Sequence, residues 1–370
     1  MKVLVISTVG LIYDGITSVI REYIKALDTD NLDIYIVDTI RTETVIRKEL
    51  EQSGCKFVSL PSRQTATISY FFHLIRFIRK EHIEVIHAHG NSATLTIEML
   101  AAFIGGCKRR IAHSHNTRCN QVQADRLLRP LFRHLYTDAV ACGTEAGKWL
   151  FENHPFIVLN NGRDLQRFCF QPAVRNAIRK EYDIGQRLTV GHVGGFVQQK
   201  NHVFLLEIYK ALIKIKPDIC LFLIGDGVER ENIERIAKDY GIIDKIIFTG
   251  KTERVSELLQ AMDVMVLPSL YEGLPLVSIE WQAAGLPCVL SDTITTECAV
   301  TDLVKFASLS ESAETWANLI IQSASRNKRE LQSDNARILI KKAGFDIKDN
   351  AAVLRELYFR KPQKSKSHNT

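Results

Sequence analysis

The sequence predicts an α/β protein built from two doubly wound domains, and three observations support this prediction. Short apolar runs rich in valine and isoleucine alternate with longer amphipathic segments, which is typical of βαβ units around a parallel sheet. The runs fall into two series, over residues 3–159 and 188–290. A chain of 370 residues with 46% hydrophobic side chains is long enough to bury two such cores.

Each apolar run is assigned to a strand in chain order. The predicted strands are residues 3–7, 32–37, 55–60, 85–88, 110–113, 138–142 and 156–159 in the first series, and 188–193, 219–224, 245–248, 264–267 and 287–290 in the second. A turn at Asn161 and Gly162, followed by an irregular stretch, connects the series. We therefore predict domains over residues 1–162 and 163–346. A terminal helix over 347–360, a candidate to cross back to the first domain, precedes a disordered tail over 361–370.

Composition limits the location and the partners. The eight cysteines include no C-x-x-C pair and no zinc-like spacing, as expected for reduced thiols in the cytoplasm. No run reaches the ~18 apolar residues that span a bilayer, and residues 1–10 are interpreted as a strand rather than a signal peptide. The net charge of +6 suits anionic lipid, phosphorylated small molecules or nucleic acid. Because the basic residues are dispersed and no nucleic-acid-binding motif is found, we expect no nucleic acid partner.

In open α/β sheets, ligands bind beyond the carboxyl ends of the strands, so a cleft between the two domains is the expected site. The strongest candidate loop is EGLPLVSIE, from Glu272 to Glu280. If a helix begins near Pro275, the amides of Leu276 and Val277 are free to bind a phosphate. The carboxylates of Glu272 and Glu280 suit hydroxyl pairs, one near a sugar and one near a ribose. The alternative is a favourable charge at the helix start for Glu272 and an ordinary solvated side chain for Glu280.

A glycine-rich turn is the second candidate, with the sequence GHVGGFVQQKN over residues 191–201. Gly194 and Gly195 allow the backbone to approach a ligand, and Lys200, next to Asn201, is placed to neutralise a diphosphate. The alternative is an ordinary surface lysine at a helix start. It is disfavoured because a cation there opposes the helix macrodipole.

The first domain offers one loop and two histidine pairs. Gly15 precedes a long amphipathic helix that is expected to begin at Ser18 or Val19, and the open helix start suits an anion. The histidine pairs, at strand ends, are His87 with His89 and His113 with His115. Alternation places each pair on one face of its strand. Metal binding is one interpretation, but no carboxylate accompanies either pair, and hydrogen-bonded structural histidines are the alternative.

These motifs resemble glycosyltransferase family 4, whose members carry two glutamates in the setting of Glu272 and Glu280 and a G-R-F-x-x-x-K-N segment like residues 194–201. The resemblance implies the GT-B fold, with an acceptor-binding first domain and a nucleotide-sugar-binding second domain. It implies retaining transfer of a hexosyl or N-acetylhexosaminyl group from a nucleotide diphosphate donor, expected to be a UDP-sugar. The implied acceptor is a lipid-linked or saccharide hydroxyl in surface polysaccharide biosynthesis. No metal or other cofactor is implied as a requirement.

The resemblance also implies roles for single residues. It implies catalytic roles for His115, with His113 as second choice, and for Lys200 and Glu272. The implied donor-binding residues are Gly15, Gly194, Gly195, Lys200, Asn201, Lys251, Thr252, Glu272, Gly273, Leu274, Leu276, Val277 and Glu280. Two positions depart from the family pattern. Gly195 stands where the family has an arginine that contacts donor phosphates, and Asp14 stands where a second glycine is common.

A last segment mixes basic and apolar residues, RLLRPLFR over residues 126–133. It predicts either an amphipathic helix packed on the sheet or a face that attaches the protein to the inner, anionic side of the cell membrane. Two rival functions remain at this point: a nucleotide-sugar epimerase of the same architecture, and a non-catalytic nucleotide-sugar-binding module. Acceptor-dependent release of nucleoside diphosphate would distinguish a transferase from both.

Overall fold

The computed structural model describes residues 1–12, 14–38, 42–324 and 328–360, so the predicted tail over residues 361–370 lies outside the described part of the chain. The chain divides into two compact units. The first comprises Met1–Gly162 together with the chain from Asp346 onward, and the second is Arg163–Phe345. Each unit contains one parallel sheet with helices between its strands, which confirms the predicted α/β class.

The described residues of the first unit form seven strands. They are β1 (Lys2–Ser7), β2 (Asp33–Asp38), β3 (Lys56–Ser59), β4 (Val85–Gly90), β5 (Arg109–Ser114), β6 (Asp138–Ala141) and β7 (Ile157–Val158). The helices among them are α1 (Gly15–Ala26), α2 (Thr44–Gln52), α3 (Thr67–Glu81), α4 (Thr96–Gly105), α5 (Val122–Phe132) and α6 (Thr144–Phe151). All strands are parallel, in the order β3-β2-β1-β4-β5-β6-β7. The order reverses between β1 and β4, where open sheets form ligand crevices.

In the second unit, the part of the chain that the structure describes forms six strands. They are β8 (Leu188–Val193), β9 (Ile219–Ile224), β10 (Ile246–Gly250), β11 (Val264–Leu267), β12 (Cys288–Ser291) and β13 (Val304–Ala307). Its helices are α7 (Pro172–Glu181), α8 (His202–Ile215), α9 (Arg230–Asp239), α10 (Val255–Ala261), α11 (Leu276–Ala283), α12 (Ala313–Ala324) and α13 (Arg329–Lys342). The strands are again parallel, in the order β10-β9-β8-β11-β12-β13. The order reverses between β8 and β11.

Strand β9 shows why the apolar runs are continuous. All six of its residues are buried. Cys220, Phe222 and Ile224 point into one apolar core, and the alternate residues Leu221 and Leu223 point into another on the opposite face. A strand buried on both faces has no reason to alternate apolar and polar residues.

The terminal helix α14 (Ile347–Phe359) packs on the first unit. Asp346 caps it, since its carboxylate accepts from the amides of Lys348 and Asp349. Asn350 Nδ2 donates to the Asn160 carbonyl at 2.9 Å, and the helix lies against α1. Among the described residues, no helix is both long enough and apolar enough to cross a membrane.

Candidate functional site

Four loops follow neighbouring strands at the carboxyl edge of the second unit's sheet. They cover residues 194–201 after β8, 225–229 after β9, 251–254 after β10 and 268–275 after β11. Backbone hydrogen bonds join them, because Gly194 N donates to Ile224 O at 3.0 Å and Gly225 N donates to Gly250 O at 3.1 Å. Residues far apart in the sequence therefore meet at this edge.

Lys200 and Glu272 form an ion pair within this group of loops. The lysine Nζ lies 2.6 Å from Oε1 of Glu272, and the side chains are only 16% and 10% exposed. Gln199 Nε2 donates to the other carboxylate oxygen at 3.1 Å and to the Tyr271 carbonyl at 2.9 Å. Lys200 is therefore not an ordinary surface lysine, and Glu272 does not act as a free charge at the start of a helix.

Glycines bring backbone close to Lys200. A Cβ on Gly194 would lie 3.1 Å from Lys200 Cε, and a Cβ on Gly225 would lie 2.0 Å from the Gly194 carbonyl oxygen. Gly195 differs, because it is exposed and the nearest atom to its Cβ position is the Asp226 carbonyl oxygen at 3.7 Å. The backbone at Gly195 thus leaves space for a side chain, such as the arginine of the family pattern, but glycine provides none.

Helix α11 begins where the sequence predicts. Pro275 is its N-cap and provides no side-chain acceptor, and Leu276 is the first helical residue. The amides of Leu276 and Val277 lie in the first turn, where a helix supplies no carbonyl partner. Gly273 is exposed, and Leu274 packs against the core of the unit. The helix start thus presents N–H groups and the positive end of the helix dipole to an anion.

Glu280 lies in the second turn of α11 and pairs with Arg163. The arginine Nε is 2.8 Å from Glu280 Oε1, and the two side chains are 7% and 13% exposed. The interpretation of Glu280 as an ordinary solvated residue is therefore wrong. Arg163 escapes prediction from sequence, because an arginine after an Asn-Gly turn gives no sign of a carboxylate far along the chain.

Three predicted donor-binding residues lie in turns at the same edge. Asn201 Nδ2 donates to the Pro268 carbonyl at 3.1 Å and so joins two of the loops. Thr252 Oγ1 accepts from the Arg254 amide at 3.0 Å and stabilises the turn after β10. Lys251, beside it, is exposed. Asn201 thus sets the geometry of the loops, while Lys251 is accessible to a ligand.

A buried histidine near Lys200 was not expected. His192 Nδ1 lies 2.9 Å from the Val266 carbonyl oxygen, which identifies Nδ1 as its protonated nitrogen. Burial lowers the pKa of His192 well below its ordinary value, and the positive charge of Lys200 acts in the same direction. His192 Nε2 is 3.1 Å from the Cβ position of Gly194. A neutral ring therefore supports the glycine turn without adding charge beside Lys200.

In the first unit, helix α1 starts earlier than expected. The predicted start at Ser18 or Val19 is wrong, because the helix begins at Gly15 with Asp14 as its N-cap. The Asp14 carboxylate accepts from the Thr17 amide at 2.8 Å. Gly15 is exposed and has open space around its Cβ position. The Asp14 carboxylate thus binds one first-turn amide, and the role of Gly15 in donor binding stays a prediction.

Four histidines form a buried array on β4, on β5 and directly after β5. His87 Nε2 lies 3.1 Å from His113 Nδ1, and His89 Nδ1 lies 2.8 Å from His115 Nε2. The ring centroids of His87 and His89 are 4.1 Å apart, and those of His113 and His115 are 4.2 Å apart. The predicted His115 and its alternative His113 thus belong to one network.

The histidine array is close enough to suggest a metal site. Ring nitrogens of His87, His89 and His113 lie within 4.8 Å of one another. Imidazoles alone, however, would leave the charge of a divalent ion uncompensated in a buried place, which is costly. The same nitrogens hydrogen-bond to one another and to Tyr358. Because these bonds account for the array, we assign no metal to it.

The array predicts a loss of stability in mild acid. Burial lowers the pKa of His87 and of His115 to about 3, from a usual 6.5. The folded rings stay neutral where the unfolded rings take up protons, so their contribution is complete above pH 6.5 and is lost as the pH falls towards 3. Each ring should remove about 1.4 kcal/mol of unfolding free energy per pH unit in that window. Denaturant unfolding between about pH 7 and pH 5 should show the fall, and His115→Gln should reduce its slope. An unfolding free energy that does not change over this pH range would contradict the assignment of neutral rings to the folded state.

A cavity opens at the carboxyl end of β1 in the first unit. Its volume is about 190 Å³, and its lining includes Ser7, Thr8, Arg63 and Gln64. Ser7 Oγ is buried and has no hydrogen-bond partner among the described residues. Arg63 Nε is held by Glu98 at 2.6 Å, which neutralises its charge. The cavity therefore offers hydroxyl and amide groups rather than net charge.

Two family models match the chain. The model described as Glycosyltransferase Family 4 matches residues 13–167, a stretch that contains the histidine array. The model described as Glycosyl transferases group 1 matches residues 174–338 and includes the four loops of the second unit.

Curated relatives match along almost the whole chain. A Bacillus subtilis (strain 168) protein that bears the name of a glycosyltransferase, EpsF, is 32% identical over 366 residues, covering 94% of each chain. An Escherichia coli protein is 24% identical over 368 residues, covering 93% of each chain. It is named UDP-Gal:alpha-D-GlcNAc-diphosphoundecaprenol alpha-1,3-galactosyltransferase.

Solved structures share the fold at low identity. Anabaena HepE in complex with UDP has a TM-score of 0.78 and 17% identity, covering 96% of this chain and 99% of that one. WaaG, a glycosyltransferase involved in lipopolysaccharide biosynthesis, has a TM-score of 0.68 and 14% identity, with 96% and 99% covered. Both matches span the two Rossmann-like sheets.

Proposed function

The chain is a glycosyltransferase that belongs to family 4 and has the GT-B fold, and from this premise we propose that it transfers a sugar from a UDP-sugar to a hydroxyl. We propose a hexosyl or N-acetylhexosaminyl group, retention at the anomeric carbon, and a lipid-linked or saccharide acceptor in surface polysaccharide assembly. The E. coli relative is named for UDP-Gal and a diphosphoundecaprenol substrate, and HepE has been crystallised with UDP and with UDP-glucose. These names support the proposed donor and acceptor classes.

The observation that carries the proposal is the 2.6 Å contact between Lys200 and Glu272, the latter in the loop that leads into α11. A donor diphosphate bound here would meet the Lys200 cation and the amides of Leu276 and Val277. Fixed positive groups of this kind stabilise the negative charge that grows on a leaving diphosphate. Once the diphosphate competes for Lys200, the Glu272 carboxylate can accept from sugar hydroxyls, and Glu280 can accept from the ribose.

For the transfer step we propose that the acceptor hydroxyl attacks the anomeric carbon from the face that the diphosphate leaves, through an oxocarbenium-like transition state. The bond from the anomeric carbon to the diphosphate oxygen breaks as the glycosidic bond forms, and the hydroxyl proton passes to that departing oxygen. A covalent route needs a carboxylate that attacks the anomeric carbon. Glu272 and Glu280 are each engaged by a cation, at 2.6 Å and 2.8 Å, which suits hydroxyl recognition instead. Because Lys200 and the helix amides stabilise the leaving group, the proposed step requires no metal.

We propose that the first unit binds the acceptor. His115 would contact the transferred sugar near the reacting carbon, and it is held in place by its 2.8 Å bond to His89. The cavity beside β1 offers Ser7, Thr8 and Gln64 to saccharide hydroxyls.

We propose helix α5 as the contact with an anionic membrane surface. More of the positive charge in this region is paired with carboxylates than the sequence suggests. Arg129 pairs with Asp125 and Glu152, and Arg133 also pairs with Glu152. Arg126 is exposed. Within helix α5, all of which the structure describes, the groups that remain for a membrane are the Arg126 cation and exposed apolar side chains, among which Leu127 is 79% exposed.

The double variant Arg126→Gln/Leu127→Gln should weaken sedimentation of the protein with vesicles that contain anionic lipid. A cation near such a surface contributes about 1 kcal/mol, and a leucine adds apolar burial, so binding should fall roughly tenfold or more. The matched control is Arg235→Gln/Leu331→Gln, which changes exposed residues of the second unit. Equal sedimentation of both variants would remove the membrane proposal.

The experiment that tests the function measures release of UDP from a panel of UDP-sugars, with and without a lipid-phosphate-linked saccharide acceptor. A transferase releases UDP when the acceptor is present, and proton NMR of the product should show the donor's anomeric configuration. Conversion of the donor sugar without an acceptor would favour the epimerase alternative. Absence of either reaction across the panel would contradict the proposed donor class.

A further inference from the structure

The histidine array ends on a tyrosine of the terminal helix. Tyr358 lies in the last turn of α14, is 4% exposed, and its hydroxyl oxygen is 2.8 Å from Nδ1 of His87. His87 is linked in turn to His113 at 3.1 Å. A series of hydrogen bonds therefore connects α14 with β4 and β5, although Tyr358 is far from both histidines in the sequence.

The tyrosine determines which group donates and which accepts in each of these hydrogen bonds. A buried phenol keeps its proton, and Nδ1 of His87 is the acceptor that the Tyr358 hydroxyl reaches among the described residues. A neutral imidazole carries one proton, so His87 holds it on Nε2 and donates it to Nδ1 of His113. His113 then holds its own proton on Nε2. One hydroxyl thus fixes the tautomers of two rings.

His113 lies directly against the proposed catalytic histidine, His115. The rings of His113 and His115 are stacked with centroids 4.2 Å apart. Within the described part of the chain, His113 Nε2 and His115 Nδ1 are both buried without a hydrogen-bond partner. Reversing the tautomer of His113 would replace an N–H donor with a lone pair beside His115.

We propose that Tyr358 is a positioning residue, which fixes the tautomers of His87 and His113 and thereby the hydrogen-bonding group that His113 presents beside His115, the histidine proposed to contact the transferred sugar. Only the last clause rests on the proposed function. The terminal helix is then part of the machinery of the first unit and not merely a cover for its sheet.

The first test needs no substrate. Long-range proton–nitrogen NMR of protein labelled with ¹⁵N-histidine reports which ring nitrogen carries the proton. We expect protonated Nε2 in both His87 and His113 of the wild type, and a mixture of tautomers in Tyr358→Phe. Protonated Nδ1 on His87 in the wild type, or an unchanged pattern in the variant, would overturn the proposal. Because the wild-type spectrum alone can do so, a poorly folding variant does not remove the test.

The second test separates positioning from stability. In Tyr358→Phe, kcat should fall about tenfold, which is the effect of losing one hydrogen bond in the reacting complex. The KM for the donor should stay within about twofold of the wild-type value. The control Tyr209→Phe removes another buried hydroxyl, which bonds to the Ile219 and Lys245 carbonyls. It should lower the melting temperature and leave kcat unchanged. Wild-type kcat in Tyr358→Phe, or equal kcat losses in both variants, would overturn the positioning role. No turnover in the wild type would instead refute the proposed function, and the NMR result would still stand.

Discussion

Replacing Lys200 with alanine should lower kcat by about a hundredfold to a thousandfold, the usual effect of removing one group that stabilises charge in a transition state. The lysine Nζ lies 2.6 Å from Glu272, in the loop that leads into α11, and is the cation that a leaving diphosphate would meet. Steady-state kinetics with a UDP-sugar and an acceptor measure the effect. Because Gly195 supplies no second cation, we expect little of the lost charge to be replaced.

The matched control is Lys214→Ala, which removes an exposed lysine from the last turn of α8. It has the same change in net charge and should keep wild-type kcat. Thermal unfolding of both variants separates lost catalysis from lost folding. If Lys200→Ala is folded and turns over at the wild-type rate, the proposed role of the lysine is wrong.

Replacing Glu280 with glutamine should raise KM for the donor about tenfold to a hundredfold, the range expected for losing a charged hydrogen-bond acceptor of ribose hydroxyls. The change should also destabilise the protein, by about 3 kcal/mol or more, because the buried Arg163 loses its ion pair with Glu280. Donor titrations and denaturant unfolding measure the two effects separately.

The double variant Glu280→Gln/Arg163→Gln distinguishes ribose recognition from a purely structural ion pair. It removes the buried arginine charge together with the carboxylate, so most of the lost stability should return. The donor KM should stay high, because the carboxylate is still missing. Recovery of both stability and donor KM would show that Glu280 serves the fold alone.

The strands could be predicted to a large extent because their burial on both faces makes the apolar runs continuous. The predicted runs 188–193, 219–224 and 264–267 coincide with β8, β9 and β11. Strand β13 was missed, since it is an edge strand with three of four residues only half buried and includes Lys305. The start of α1 was misplaced because Asp14, read as a replaced glycine, acts as a cap.

The residues of the candidate site could be predicted singly, but their partners could not. Lys200 and Glu272 meet because β8 and β11 are neighbours in the sheet, an order that local patterns do not contain. The partner of Glu280 is Arg163, and the partner of His87 is Tyr358 on the terminal helix. Such long-range pairs follow from the topology of the chain and leave no periodic signal in it.

The most direct test of the account is a crystal structure of the protein with UDP bound. We predict that the diphosphate lies within hydrogen-bonding distance of Lys200 Nζ and of the amides of Leu276 and Val277, with the ribose hydroxyls on the Glu280 carboxylate. In that complex, Glu272 should no longer be the sole anion beside Lys200. UDP bound elsewhere, with the Lys200–Glu272 pair unchanged, would contradict the proposed donor site.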